Sequence, residues 1–247
     1  MPDTPARPVL WRRAVGEAIG TGMLVFGGCG AIVTNTVHDG TLGTVGIALA
    51  FFLVLLAAIA ALGHISGAHF NPGVSLAFLV ARHLPARDCG AYIVAQLAGA
   101  TGAALLLHGI WPANPAHLGA TVPSIADMRA LIVEFVLTAI LMFVIMSLAT
   151  DTRAVGAPAA LAIAAVVGMS ALAFGPVTGA SLNTARSFGP ALVSGEWQSF
   201  WIYVIGPLAG APVGALLYQL IRGEHPARRH PDPPETTDGD RPVRLPA

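Results

Sequence analysis

Residues 66–73 read SGAHFNPG, and residues 178–185 repeat the same pattern as TGASLNTA. Each copy places an asparagine, Asn71 or Asn183, directly before a short apolar run. Asparagine is a favoured N-cap and proline suits the first helical position, so Asn71 and Pro72 predict a helix start. A helix of roughly ten residues is only about 15 Å long. That length is about half of a ~30 Å hydrocarbon core.

The composition is typical of a membrane protein. Of the 247 residues, 55% are hydrophobic and 11% are charged, and the mean hydropathy is +0.70. A soluble domain of this size carries roughly 25% charged residues. No basic region indicates nucleic acid binding, and the formal net charge is +0. Apolar runs near the ~20 residues that a crossing needs occur at 14–35, 42–62, 90–110, 128–149, 157–174 and 200–222.

The apolar runs and the repeated stretch divide the chain into two repeats, at about 14–110 and 128–222. Each repeat contains two spans, a re-entrant loop with a half-helix, and a third span. Because each repeat has an odd number of spans, the two insert with opposite topology and their half-helices enter from opposite faces. We therefore expect Asn71 and Asn183 to meet near the bilayer midplane. The predicted fold class is an all-α membrane protein with six transmembrane helices and two re-entrant half-helices in an inverted repeat.

The arginine positions predict the orientation of the chain. The sequence has no lysine, and every arginine except Arg129 and Arg186 lies near the two ends or in two short links between spans. By the positive-inside rule these segments are cytoplasmic. The predicted organisation is a cytoplasmic N-terminal tail at 1–13, a channel domain at 14–222 and a C-terminal tail at 223–247. The charge and proline content of the C-terminal tail predict disorder.

The only literal Asn-Pro-Ala in the chain occupies residues 114–116. No helix-length apolar run follows it, and it lacks the Ser/Thr-Gly-Ala sequence that precedes Asn71 and Asn183. Because short motif matches need structural context, we interpret it as a turn. It lies within a polar, proline-containing linker at 111–127 that joins the two repeats on the outer side.

Two stretches resemble the signature loops of the aquaporin (major intrinsic protein) family, namely GHISGAHFNP at 63–72 and GPVTGASLNTARS at 175–187. The resemblance extends from about Gly16 to Tyr218. The second stretch, together with ATDTRAVG at 149–156, is most similar to the nodulin-like intrinsic proteins of plants and their bacterial relatives. These sequences imply the aquaporin fold.

Both asparagine boxes depart from the family's usual Asn-Pro-Ala. The boxes of this chain are Asn71-Pro72-Gly73 and Asn183-Thr184-Ala185. A first helical turn does not require proline, because the N–H at that position has no intrahelical partner. We therefore do not expect Thr184 to disturb the second half-helix.

Asn71 and Asn183 are predicted to face a pore. A capping side-chain oxygen leaves the amide NH₂ free to donate into a lumen, although the two residues could also serve only as caps. Unwound backbone within a bilayer is tolerated only where it is buried in protein or lines water. The half-helix N-termini add partial positive charge at the same place, which disfavours cations and protons.

Arg186 is an ionisable residue inside the second half-helix. Intramembrane charge usually faces a water-filled path, although Arg186 could instead extend outward toward Glu196. The family resemblance implies a selectivity filter made of Phe51, Ala171, Ala180 and Arg186. Water-selective members usually have histidine where this chain has Ala171, so the resemblance implies a wider opening. From periodicity alone, Phe51 and Ala171 are also compatible with ordinary lipid-facing or core positions.

Glu17 and Glu134 occupy similar places in the two repeats, each near the start of a span. Their equivalence favours a structural role, in which they accept N–H bonds from the re-entrant loops, over a role in proton relay. The resemblance implies the same. It also implies that His64 and His69 lie beside the pore, whereas the sequence alone is consistent with buried, hydrogen-bonded histidines.

The sequence therefore predicts a passive channel for small uncharged solutes and water that excludes protons and ions, in a lipid bilayer. The resemblance implies passage of glycerol-like polyols or neutral metalloid hydroxides, a homotetramer, and a plasma (inner) membrane location. The alternatives are a mainly water-selective aquaporin and an inverted-repeat secondary transporter with a bound driving ion. No catalytic, metal-binding or phosphate-binding arrangement is evident, so we expect neither an enzyme nor a cofactor.

Overall fold

The computed structural model describes residues 8–150 and 159–222. The predicted disordered tail at 223–247 and residues 1–7 of the predicted N-terminal tail lie outside the described residues. Within these ranges the helices are α1 (Leu10–Val37), α2 (Gly43–Ser66), α3 (Pro72–Val80), α4 (Ala86–Ile110), α5 (Asp127–Thr150), α6 (Ala159–Thr178), α7 (Thr184–Ser194) and α8 (Ile202–Arg222).

The predicted fold class is confirmed. Six helices are long and apolar enough to cross a membrane, namely α1, α2, α4, α5, α6 and α8. The remaining two, α3 and α7, have 9 and 11 residues and begin directly after Asn71 and Asn183. They are the two predicted half-helices. We call the face that holds Pro8 and Arg222 the inner face, and the face that holds the linker at 111–127 the outer face.

The first spanning helix begins earlier than predicted. It starts at Leu10, inside the segment 1–13 that the sequence assigns to a tail. Arg13 is buried, and its guanidinium donates to Asp88 of α4 at 2.8 Å and to the carbonyl of Pro8 at 2.9 Å. Asp88 compensates the positive charge of Arg13. The helix can therefore include Arg13 rather than begin after it.

The two repeats interlock through their half-helices. Within each repeat the first span packs along the third, α1 against α4 and α5 against α8, while α2 and α6 pack against each other. The half-helices cross over: α3 packs mainly on α8, and α7 packs mainly on α4. Each half-helix therefore belongs to one repeat but packs mainly on a spanning helix of the other.

Glycines allow the paired spans to approach closely. A Cβ added at Gly99 of α4 would lie 2.0 Å from the carbonyl oxygen of Ala18 in α1. A Cβ at Gly214 of α8 would lie 2.1 Å from the carbonyl oxygen of Ala139 in α5. Small residues at such contacts are typical of membrane helices, whose association depends on close packing rather than on the hydrophobic effect.

We predict that Gly99→Ala lowers the thermal unfolding midpoint in detergent, because the added methyl forces α4 away from the α1 backbone. Overpacking of this kind costs about 1–3 kcal/mol. Gly102→Ala, on the same helix, is the matched control, since a Cβ there meets nothing within 4 Å. Equal midpoints for the two variants would contradict the close approach of α1 and α4.

Candidate pore and selectivity filter

The two re-entrant loops share an unusual backbone. Ala68 and Phe70 have φ angles of 52° and 47°, and their counterparts Ala180 and Leu182 have 41° and 54°. A residue with a Cβ pays roughly 1–2 kcal/mol in the left-handed region. Four such residues, together with a left-handed glycine at the start of each loop, need specific partners to remain in place.

Glu17 holds the first loop. Its carboxylate accepts hydrogen bonds from the N–H groups of His69 at 3.0 Å and Phe70 at 2.6 Å. The Nε2 of Gln96 donates to the same carboxylate at 2.8 Å. Glu17 is completely buried, so its charge is compensated by these donors within the protein.

Glu134 holds the second loop in the same way. It accepts from the N–H groups of Ser181 at 3.0 Å and Leu182 at 2.9 Å. The hydroxyl of Thr178, at the end of α6, donates to it at 2.7 Å. The inverted repeat thus places one buried carboxylate behind each strained loop, which is the arrangement that the sequence predicts for Glu17 and Glu134.

The two asparagines cap their half-helices. The Oδ1 of Asn71 accepts from the N–H of Gly73 at 2.9 Å. The Oδ1 of Asn183 accepts from the N–H groups of Ala185 and Arg186 at 3.0 and 3.3 Å. Their extended backbone, with φ angles of −155° and −151°, is that of an N-cap residue.

The amide groups of these asparagines are less free than the sequence suggests. The Nδ2 of Asn71 donates to the carbonyl of Leu182 at 2.7 Å, and the Nδ2 of Asn183 donates to the carbonyl of Phe70 at 2.8 Å. Each amide therefore ties its own half-helix to the opposite loop. Since an NH₂ group carries two hydrogens, one donor of each asparagine remains for the cavity that both residues line.

Two cavities meet at Phe51 and Arg186, which line both of them. The inner cavity contains Asn71 and Asn183 and has a water-accessible volume of about 40 Å³. At ≳10–15 Å³ per water this holds only a few molecules. The outer cavity has a water-accessible volume of about 350 Å³. The constriction therefore lies at Phe51 and Arg186, between a wide outer mouth and a narrow passage.

The four predicted filter residues lie around this constriction. Ala171 lines the outer cavity and Ala180 lines the inner one. The guanidinium carbon of Arg186 lies 5.2 Å from the centre of the Phe51 ring. Phe51 and Arg186 therefore lie at the junction, with the methyl group of Ala171 on its outer side and that of Ala180 on its inner side.

Arg186 is fixed from the outer side. Its side chain is 1% exposed, and its Nη1 donates to the carbonyl of Gly119 at 2.7 Å. Within the described part of the chain, its Nε and Nη2 have no hydrogen-bond partner. It does not bind Glu196, which instead lies 3.7 Å from the Nδ1 of His117. The arrangement leaves two donors of a buried cation available to molecules at the constriction.

The linker at 111–127 contributes residues to the site, a contribution that the sequence does not predict. Residues Pro115–Gly119 form a left-handed turn with φ angles of 48° to 56° at its three central residues. Its Gly119 supplies the carbonyl for Arg186, and Thr121 pairs with Ser187 of α7 at 2.7 Å. The Asn-Pro-Ala at 114–116 is a turn, as predicted, but Ala116 and several residues that follow it line part of the outer cavity.

Gly28 positions Phe51, a second contribution that the sequence did not reveal. It belongs to a π-helical turn at Val25–Cys29 in the middle of α1. A Cβ at Gly28 would lie 2.1 Å from the Phe51 ring, so the ring occupies the space of the missing side chain. Single π turns are frequent at functional sites, and here the turn adjoins the predicted filter.

The two predicted pore histidines differ in position. His69 lines the inner cavity, where its Nδ1 lies 3.1 Å from the hydroxyl of Ser75 and its ring stacks on Phe78 at 4.5 Å. His64 lies in the last turn of α2, is exposed, and lines neither of the two cavities. The structure therefore places His69, but not His64, at the inner cavity.

The ring contacts continue toward the inner face. The ring of His83, which follows α3, meets the edge of Phe78 at 6.2 Å. Burial lowers the pKa of His83 below its ordinary value, and the positive charge of Arg222 lowers it further. Both effects favour the neutral form of His83.

An inverted repeat of six spans, with two half-helices whose asparagines meet beside a narrow cavity, defines a membrane channel. The chain belongs to the major intrinsic protein family, whose profile matches residues 6–218. It is a channel for water and small neutral solutes rather than an enzyme, as its sequence predicts. Membership of a channel family argues against the alternative of a secondary transporter.

Similar proteins include nodulin-like channels of plants. Aquaporin NIP1-1 of Oryza sativa subsp. japonica is 44% identical over 211 residues, which cover 85% of this chain and 74% of that protein. Nodulin-26 of Glycine max is 43% identical over 211 residues, 85% of this chain and 78% of that protein. The aquaglyceroporin from Plasmodium falciparum has a TM-score of 0.78 at 25% identity, over 87% of this chain and 97% of that one. The predicted resemblance to the nodulin-like branch is confirmed.

We predict that Arg186→Val keeps water flux and adds a small proton or cation leak, because the charge that repels cations at the constriction is removed. The half-helix dipoles and the asparagine donors remain, so the leak stays small. It would be measured with a pH-sensitive dye in proteoliposomes. Arg129→Val is the control, since Arg129 is exposed near the start of α5. Unchanged proton tightness and unchanged solute selectivity would exclude Arg186 from the filter.

Proposed function

We propose that this channel passes glycerol-like polyols and neutral metalloid hydroxides, such as boric or arsenious acid, alongside water. The observation that carries the proposal is that the two cavities that meet at Phe51 and Arg186 are lined by small residues, Ala171 on the outer side and Ala180 on the inner side. Two methyl groups leave room where larger side chains would narrow the opening. The solute is then selected by size and by its pattern of hydroxyl groups.

The polar and apolar parts of the wall suit such solutes. Arg186 has two donors without a protein partner in the described ranges, and these can bind solute hydroxyls. The Phe51 ring and the methyl group of Ala171 offer an apolar surface to a carbon backbone or to the face of a trigonal hydroxide. Below them, one amide hydrogen each from Asn71 and Asn183 remains available as the solute moves inward.

Exclusion of protons and ions is the second part of the proposal. A cation at the constriction meets the charge of Arg186 and the positive ends of α3 and α7. Little within the inner cavity replaces a hydration shell, because most of its lining is aliphatic. A neutral solute exchanges hydrogen bonds with the same groups at much lower cost.

We further propose a homotetramer in the plasma (inner) membrane with both termini cytoplasmic. Arg12, Arg13, Arg82, Arg87 and Arg222 all lie at the inner face, which supports a cytoplasmic inner face by the positive-inside rule. The family supports the tetramer, and a concave apolar surface between α2 and α6 offers a face for a second copy. Native mass spectrometry and cysteine labelling of the termini test these assignments.

The competing proposal is a mainly water-selective channel. The small volume of the inner cavity, about 40 Å³, favours it, since a passage this narrow suits single-file water. The two proposals differ in whether the unmodified protein conducts glycerol and boric acid at all. Measuring both permeabilities on the same proteoliposomes separates them directly.

We predict that Ala171→His lowers polyol and metalloid flux steeply, while water flux survives or rises. The imidazole fills the space beside Phe51 and adds a polar group suited to single-file water, so the obstruction grows with solute size. Stopped-flow light scattering on parent and variant proteoliposomes measures both permeabilities. Ala173→His, on the exposed side of the same helix, is the control. If the parent already excludes glycerol and neutral metalloid hydroxides, the water-selective proposal replaces this one.

A further inference from the structure

Both unusual residues of the asparagine boxes contact the last spanning helix at one place. A Cβ at Gly73 would lie 2.9 Å from the carbonyl oxygen of Pro207 in α8. The hydroxyl of Thr184 donates to the carbonyl of Tyr203, one turn earlier in α8, at 2.9 Å. The two departures from Asn-Pro-Ala therefore meet the same segment of α8.

The carbonyl of Tyr203 needs a donor because of Pro207. In an α-helix the carbonyl of one residue accepts from the N–H four residues later, and proline has no N–H. Pro207 lies inside α8, so Tyr203 loses its regular helical partner. Tyr203 and Thr184 are buried within the protein, where an unsatisfied carbonyl is costly. The hydroxyl of Thr184 supplies the missing hydrogen bond.

The first repeat has the opposite arrangement of proline. The hydroxyl of Tyr92 donates to the carbonyl of Ser66 at 2.5 Å, as that of Tyr203 does to the carbonyl of Thr178 at 2.6 Å. These bonds identify Tyr92 and Tyr203 as equivalent positions. Four residues later α4 has Gln96, whose backbone N–H is available to the helix, where α8 has Pro207.

The two repeats thus have proline in different elements. In the first repeat it begins the half-helix, at Pro72, and the spanning helix keeps its regular hydrogen bond. In the second repeat it lies in the spanning helix, at Pro207, and the half-helix begins with Thr184. Threonine can both start a helix and donate to the carbonyl that Pro207 leaves open.

We propose that Thr184 is a positioning residue for the filter. Tyr203 holds both ends of the second re-entrant loop: its hydroxyl binds Thr178, where α6 ends, and its carbonyl binds Thr184, where α7 begins. Asn183 directly precedes Thr184, and Arg186 follows it within the first turn of α7. The hydrogen bond from Thr184 therefore fixes the height and rotation of the two residues that face the passage.

A double-mutant cycle between Thr184 and Pro207 tests this proposal. Thr184→Val keeps the shape of the side chain but cannot donate, whereas Thr184→Ser keeps the hydroxyl. Pro207→Ala restores the backbone N–H that the carbonyl of Tyr203 lacks, so it makes the hydroxyl of Thr184 dispensable. Each variant is purified, reconstituted in proteoliposomes, and assayed for water permeability and proton leak per folded channel. These readouts depend on the channel itself and not on which larger solute it passes.

We expect Thr184→Val to lower water permeability per folded channel by about three- to tenfold, the range that corresponds to one lost hydrogen bond, and to raise the proton leak. Thr184→Ser should stay close to the parent. In the Pro207→Ala background, Thr184→Val should have little effect on either readout. A purely structural role would reduce the amount of folded protein without changing these values per folded channel.

Two functional results would overturn the proposal. One is that Thr184→Val conducts water and excludes protons like the parent. The other is that its effect is equally large with and without Pro207. If Thr184→Val alone does not fold, the double variant decides, since restoring the N–H at position 207 should then restore folding. If Pro207→Ala folds by itself but the double variant does not, Thr184 acts through something other than the carbonyl of Tyr203, and the proposal is wrong.

Discussion

The structure depends on two buried carboxylates that hold strained loops at the centre of a membrane protein. Glu17 and Glu134 each accept two backbone N–H groups from a re-entrant loop whose residues lie in the left-handed region. Without these acceptors, four backbone N–H groups would lack a hydrogen-bond partner, and the left-handed conformation of the loops would lose the interaction that stabilises it. The half-helices, the asparagine caps and the position of Arg186 all follow from where the loops are held.

The held loops then determine how few polar groups the passage presents. Asn71 and Asn183 use their oxygens as caps and half of their amide hydrogens to join the loops. What remains for a permeating molecule is one hydrogen on each asparagine and the free donors of Arg186. A solute therefore meets a short series of hydrogen-bond donors separated by aliphatic wall. This arrangement favours neutral molecules, which can exchange hydrogen-bond partners, over ions, which would lose their hydration shell.

Local signals made most of the fold predictable from sequence. The caps at Asn71 and Asn183, the length of the apolar runs and the repeat are properties of short segments, so the six spans and two half-helices could be inferred directly. The equivalence of Glu17 and Glu134 also followed from the repeat.

The remaining features depend on contacts between distant segments. The carbonyl of Gly119 reaches Arg186 from a linker that looks irregular in sequence, and Gly28 matters only because the Phe51 ring lies over it. Arg13 was assigned to a tail because its partner, Asp88, is in another helix. In each case the sequence gives the residue type, but the role of the residue depends on which segment packs beside it in the folded protein.

The exchange of half-helices has a consequence for biogenesis. Since α3 rests on α8 and α7 rests on α4, the first loop has no complete support until the last helix has left the ribosome and entered the bilayer. Asn71 can bind the Leu182 carbonyl only after the second loop has been made, and α3 can pack on α8 only after the last helix has inserted. The nascent protein therefore carries an incomplete first loop through most of its synthesis, and the pore reaches its final form only after α8 has inserted.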